Sequence, residues 1–114
     1  MTDMCATELG KLPKHNSCNV GVKYDAGKVR PSLVPTDSLI EIAKVLELGA
    51  KKYSPDNWKL VTPHSRYTDA ALRHIYAHLM GEKNDPETGL SHLAHASACL
   101  MFLIHFELQE SKNV

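Results

Sequence analysis

Between Thr36 and Tyr53, Leu39, Ile40, Ala43, Leu46 and Ala50 recur at helical spacing, while Lys44, Glu47 and Lys51 form the opposite polar stripe. This predicts a first helix, started by a capping box of Ser38 and Glu41 or one position earlier at Thr36, and stopped by Ser54-Pro55-Asp56. A second helix is predicted from Thr62-Pro63, a cap residue followed by proline at the first helical position, to about Gly81. Leu72, Ile75, Ala77 and Leu79 lie on or near its apolar side. An acidic loop, Glu82 to Gly89, leads to a third helix over about Leu90 to Gln109. There Leu93, Ala96, Leu100, Leu103 and Phe106 give one face, and Met101, Phe102 and Ile104 make most of the others apolar. A helix apolar nearly all round needs cover on every side. Three helices do not supply it, so a second subunit is expected to cover helix three.

The segment before helix one reads differently. Gly21, Gly27, Pro31 and Pro35 argue against a long regular element in residues 19–35, and Val20, Val22, Val29, Leu33 and Val34 suit an extended segment tacked onto a core. Residues 1–18 show no sustained period and read as a loose arm. The expectation is therefore an all-α fold: a helical hairpin with a preceding helix, completed by oligomerisation, in one domain over residues 19–110.

Length and charge narrow the function. At 114 residues the chain is one domain in size, and 13 basic against 13 acidic residues give no excess of cations for general nucleic-acid binding. Its longest apolar run, Ala98 to Ile104, falls far short of the roughly 18–20 residues that span a bilayer. The N-terminus lacks the pattern of a secretory signal. The three cysteines match no disulfide or zinc-ribbon spacing. A cytoplasmic protein is expected, with neither membrane nor nucleic acid as partner.

Seven histidines are the unusual count, four of them between His74 and His95. His74, His78 and Glu82 follow each other at four-residue steps, so on a continuous helix they point the same way, drifting about 40° per step. His92 and His95 share a face at the start of helix three. The connecting loop adds Asp85 and Glu87. Paired ligands on two antiparallel helices are how bundles hold metals. Imidazole with carboxylate suits manganese, iron, cobalt, nickel or zinc better than magnesium, which prefers oxygen; the metal is expected among manganese, cobalt, zinc or magnesium. His15, His64 and His105 read as ordinary packing or surface residues. Lys23, Lys28, Arg30, Lys52, Arg66 and Arg73 are cations suited to a polyphosphate beside such a metal. Tyr53, Asn57 and Trp58 either stack on and hydrogen-bond a base or cap the core.

The runs Lys23-Tyr24-Asp25, Gly27-Lys28, Arg30, Gly49-Ala50-Lys51-Lys52-Tyr53 and Asn57-Trp58 resemble one family. So do Arg66-Tyr67, Ala71-Leu72-Arg73-His74, Gly81-Glu82, Asp85-Pro86-Glu87-Thr88-Gly89-Leu90 and His92-Leu93-Ala94-His95-Ala96. Together they are similar to the phage-borne dATP/dGTP diphosphohydrolase N-terminal family, over about residues 20–108. That family is akin to the MazG-type all-α pyrophosphatases. The resemblance implies metal-dependent hydrolysis of purine nucleoside triphosphates to monophosphate and pyrophosphate, in dimers or tetramers, for phage nucleotide-pool modification. In that type the metal is held by Glu-x-x-Glu on one helix and Glu-x-x-Asp on the next. Here His92-x-x-His95 replaces the second motif, and Arg73, His74 and His78 stand nearest the first, which favours a softer metal.

The expected roles are then His74, His78, Glu82, Asp85, His92 and His95 as metal ligands, with Glu82 or Glu87 as general base. Lys28, Arg30, Lys52 and Arg73 would neutralise phosphates, and Tyr53, Asn57 and Trp58 would contact the base. The alternatives are a protein that sequesters a nucleotide or a nucleotide-derived signal without cleaving it, and a helical interaction module with surface histidines. No adjacent His-Asp pair marks an HD-type phosphohydrolase, and the Pro-Cys-x-x-Cys element of a zinc deaminase is missing.

Overall fold

The computed structural model describes residues 20–112 and divides the chain into two units, Met1–Leu33 and Val34–Val114. The predicted arm, residues 1–18, lies outside the described residues. In the first unit the segment from Val20 is irregular. It turns at Gly27, whose φ of 82° suits a residue without Cβ, with the Lys28 amide donating to the Asp25 carbonyl at 3.1 Å. A short 3-10 turn follows at Pro31–Leu33.

The second unit is all-α, with α1 at Thr36–Lys52, a 3-10 turn at Asn57–Leu60, α2 at Ser65–Leu79 and α3 at His92–Lys112. Cross-helix ring pairs fix the direction of the hairpin. His74 meets His92, Tyr67 meets Phe102, and His64 meets Phe106, so α2 and α3 run antiparallel. The α1 helix also packs against α3. Among the described residues there is no strand, only an isolated bridge between Asn84 and Ser91. No described helix is long and apolar enough to cross a membrane.

The helix ends depart from the sequence expectation in instructive ways. The Ser38–Glu41 capping box does not form. The helix starts at Thr36 behind Pro35, Asp37 Oδ1 accepts the Ser38 amide at 2.7 Å, and Glu41 pairs with Lys44 at 2.7 Å. Pro63 is not the first residue of α2. Its carbonyl accepts the Arg66 amide at 3.1 Å, and His64 accepts Tyr67 at 2.9 Å, so a lead-in turn precedes Ser65. At its other end α2 closes in a Schellman motif, with Glu82 N–H donating to Ala77 O at 3.0 Å and Gly81 N–H to His78 O at 3.0 Å. Gly81 takes the left-handed conformation, φ 100°. Ser91 caps α3, its Oγ accepting the amides of Leu93 at 3.1 Å and Ala94 at 3.3 Å.

The core is thin. Among the described residues its buried apolar members are Ala71 of α2 and Ala94, Ala96, Ala98, Cys99 and Phe106 of α3; all but Phe106 are small side chains that let neighbouring helices come close. An aromatic cluster closes one end. Trp58 stacks on Phe102 at 4.3 Å and 11°, His64 stacks on Phe106 at 3.6 Å and 4°, and the Tyr67 hydroxyl donates to the Trp58 carbonyl at 3.1 Å. His64 and His105 are thus packing residues, as their sequence context suggested; His105 meets Trp58 edge-on. The predicted face of α3 is split. Ala96 and Phe106 are buried, whereas Leu93 and Leu100 are exposed alongside Ile104 and Leu108.

Candidate metal centre and adjoining cleft

Two helix ends and one loop build the histidine site. The last turns of α2 carry His74, the first turn of α3 carries His92 and His95, and the loop between them carries Asp85. That loop is held by its own backbone. Asp85 N–H donates to Leu90 O at 2.8 Å, Gly89 N–H to Asp85 O at 2.7 Å, and His92 N–H to Lys83 O at 3.0 Å. Asp85 Oδ1 accepts the Glu87 amide at 2.7 Å, while Oδ2 lies 3.9 Å from His74 Nδ1. The carboxylate therefore has one oxygen fixed by the loop and the other turned towards the histidines.

His92 is the hub, and only 4% of its surface is exposed. Its Nε2 is 2.7 Å from Glu82 Oε1, and its Nδ1 is 2.8 Å from His74 Nδ1. An ionised Glu82 only accepts, so the proton of that contact belongs to His92 Nε2. The Nδ1 of a neutral His92 then carries a lone pair and receives the Nδ1 proton of His74. His95 stacks on His74 at 4.6 Å and 11°, and its Nε2 is hydrogen-bonded to Thr88 Oγ1 at 2.7 Å.

Burial pushes the pKa of His74 down. The neighbouring His95 and His92 and the Arg73 charge lower it further, and Asp85 opposes them. Burial likewise lowers His95, against the pull of Asp85 and Glu87. Burial works against ionised Asp85, yet the Glu87 amide, His95, the Thr88 amide and His74 hold its carboxyl below the ordinary value. His74 and His95 are thus biased to the neutral imidazole beside an ionised Asp85, the protonation state in which such groups bind metals.

Among the described residues, one ligand atom each from His74, Asp85 and His92 lies within 4.8 Å of the others. Two imidazoles and one carboxylate form the donor set of open, catalytic sites for zinc and other first-row metals. The residues fit such an ion, with Glu82 as the outer partner that orients a ligating histidine.

The sequence-predicted ligands divide accordingly. His78 is exposed, and its side chain has no hydrogen-bond or ring partner among the described residues. Glu82 does not continue the helical line of His74 and His78, because Gly81 ends the helix and delivers it to His92 instead. Glu87 is exposed; its charge contributes to the raised pKa of Lys52 and only weakly opposes the lowering of His95. For Lys52 the larger cause is the adjoining Tyr53, over whose ring its Nζ sits, 5.3 Å from the centroid.

An open cleft of about 1010 Å³ lies between α1, the Asn57–Leu60 turn, α2 and α3. Tyr53, Asn57, Trp58, Arg66 and Arg73 all line it. Arg73, which lines the cleft, immediately precedes His74 on α2, and its charge is the smallest of the causes acting on the His74 pKa. Trp58 serves the core with one face against Phe102 while lining the cleft, so the two readings of this residue are not exclusive. Lys23, Lys28 and Arg30 are exposed residues of the N-terminal unit. Sequence reasoning missed Thr88, which holds His95, and the cleft residues Asp69, Tyr67 and Phe102. Of these, Asp69 carried a signal: it lies three residues after Arg66 and four before Arg73, on one helical stripe.

The family profile described as "dATP/dGTP diphosphohydrolase, N-terminal" matches residues 19–113. The dATP/dGTP diphosphohydrolase of Salmonella phage PMBT28 is 40% identical over 83 residues, which is 73% of this chain and 28% of the phage protein. The chain therefore spans little more than a quarter of that relative's length. No solved structure matches it significantly.

Proposed function

The chain belongs to the dATP/dGTP diphosphohydrolase N-terminal family, and from that premise we propose that it hydrolyses purine (deoxy)nucleoside triphosphates to monophosphate and pyrophosphate with a divalent metal. The observation that carries this reading is the convergence of His74, His92 and Asp85, on a chain whose cleft is lined by Arg73, the residue next to His74. These three residues would hold the ion, which supplies Lewis-acid polarisation of a phosphoryl oxygen and a more acidic water. Manganese, cobalt or zinc suits this donor set better than magnesium. Arg73 and Lys52 neutralise phosphate charge. Glu82 keeps His92 in the tautomer whose Nδ1 lone pair is available. Glu87, whose carboxylate makes no hydrogen bond among the described residues, accepts the proton of the attacking water as a bond forms to the α-phosphorus and the bridging oxygen leaves with pyrophosphate. A host-cell role in phage nucleotide-pool modification is part of this proposal.

The test is turnover of each dNTP and NTP with manganese, cobalt, zinc or magnesium, with products resolved by chromatography. Monophosphate plus pyrophosphate from dATP or dGTP, best with a metal other than magnesium, is the expected result. Tight purine-nucleotide binding without product under any metal would overturn hydrolysis and leave a sequestering protein.

The proposal includes a second copy on α3. Leu93, Leu100, Ile104 and Leu108 lie at seven- and four-residue steps on one side of the helix and are between 46% and 57% exposed. Such a stripe is what a helix-to-helix interface buries. Light scattering is expected to report a dimer or larger, and Leu100→Glu to shift it to monomer. A wild-type monomer at high concentration would dispose of the interface.

A further inference from the structure

The cleft contains a carboxylate that the hydrolytic reading does not use. On α2 the residues facing it include Arg66, Asp69 and Arg73. Spacings of three and four residues normally let an aspartate pair with such neighbours. Here neither pair forms. Arg66 Nη1 donates to the Thr62 carbonyl at 3.3 Å, and the Arg73 charge acts on His74 and Cys99. Among the described residues Asp69 has no ion-pair or hydrogen-bond partner. It lines a cleft whose other walls include Tyr53, Trp58 and Tyr67 and which is large enough for a nucleoside.

We propose that Asp69 is a specificity-determining residue that reads the Watson–Crick edge of a guanine base in this cleft. The inference rests on the nucleotide reading above. Guanine presents two parallel donors, N1–H and the 2-amino group, which match the two oxygens of a carboxylate. Adenine presents one donor beside an acceptor, and its ring nitrogen would face the carboxylate unfavourably. Arg73 lies one turn further along the same stripe, about 6 Å along the axis. A nucleotide lying along α2 therefore meets the base reader first and the phosphate cation next, with its phosphates directed to the histidine site. Glu47, the other acidic residue of the cleft, lies on α1, whose polar stripe it shares with Lys44 and Lys51.

Trp58 is the only tryptophan and lines the cleft, so its emission reports occupancy without turnover. The full chain is titrated with dGMP, dIMP and dAMP, and the affinities are checked by calorimetry. Wild type is expected to bind dGMP tightest, dIMP (which lacks the 2-amino group) less well, and dAMP weakest. Asp69→Asn is expected to weaken dGMP roughly 5- to 100-fold, the range for loss of one bidentate base contact, and to leave dAMP nearly unchanged. Glu47→Gln is expected to keep the order. Asp69 is exposed, so its variant should retain the wild-type circular dichroism.

Equal weakening of dGMP and dAMP, or a selectivity that follows Glu47, overturns the inference and leaves the hydrolase reading intact. Asp69-dependent dGMP binding without turnover supports the inference and overturns hydrolysis. No response to any purine, with Trp58 emission that changes with protein concentration, overturns the cleft as a base site and assigns it to a second copy.

Discussion

His92→Ala is expected to abolish specific uptake of manganese, cobalt or zinc and with it any hydrolysis that depends on the metal. His92 supplies one of the three converging ligand atoms, and its ring is the part of the site held from both sides, by Glu82 and by His74. Removing it leaves His74 and Asp85, two ligands where a catalytic ion needs about three from the protein. Metal content after dialysis and calorimetric titration measure the effect, and affinity should fall by well over the roughly 10- to 100-fold typical for loss of an outer partner. Glu82→Gln should show that smaller effect, because it keeps a hydrogen-bond acceptor but loses the charge that fixes the His92 tautomer. His92 is buried, so its truncation also tests the fold. Asp85→Asn separates the two effects, since it keeps the oxygen that accepts the Glu87 amide while removing the ligand charge. Wild-type metal affinity in a folded Asp85→Asn or His92→Ala protein would remove the centre from this site.

How far this site could be read from the chain depends on how far helix spacing reaches. The 36–52 helix and the α2–α3 hairpin follow from apolar periodicity and a short loop, and they bring His74 to His92 as expected. The four-residue step from His78 to Glu82 fails because a helical step means something only while the helix lasts. Gly81 ends it and swings Glu82 over to His92, and His78 is left on the exposed side. The step from His92 to His95 does hold, but sharing a face is not sharing a ligand position. The Thr88 hydroxyl occupies one nitrogen of His95, and the ring stacks on His74. The Ser38–Glu41 spacing is a capping box only if the chain enters the helix there, and Pro35 starts it earlier. The cleft was not legible as a unit, because its residues come from α1, a turn, α2 and α3. Its rings and cations stood out singly, and only packing shows that they share one wall.

Phe106→Ala is expected to be the most damaging change to the fold, costing about 3–5 kcal/mol. Among the described residues Phe106 is the one large apolar side chain that is buried, 9% exposed, where the rest of the core is alanine and cysteine. It stacks on His64 and lies 5.7 Å from Trp58 and 6.4 Å from Tyr67 by ring centroids, so truncation removes the ring these side chains pack against and opens a void among them. Small domains have only about 5–15 kcal/mol of stability. A loss of this size therefore removes a large share of it and moves the urea midpoint far down. Phe106→Leu keeps most of the volume and should cost much less. Trp58 emission and circular dichroism should lose their structure together, because the Trp58–Phe102 stack that walls the cleft rests on the same cluster. A loss below about 1 kcal/mol would mean that the cluster collapses around the void, and the cleft would then owe its shape to α1 rather than to these rings.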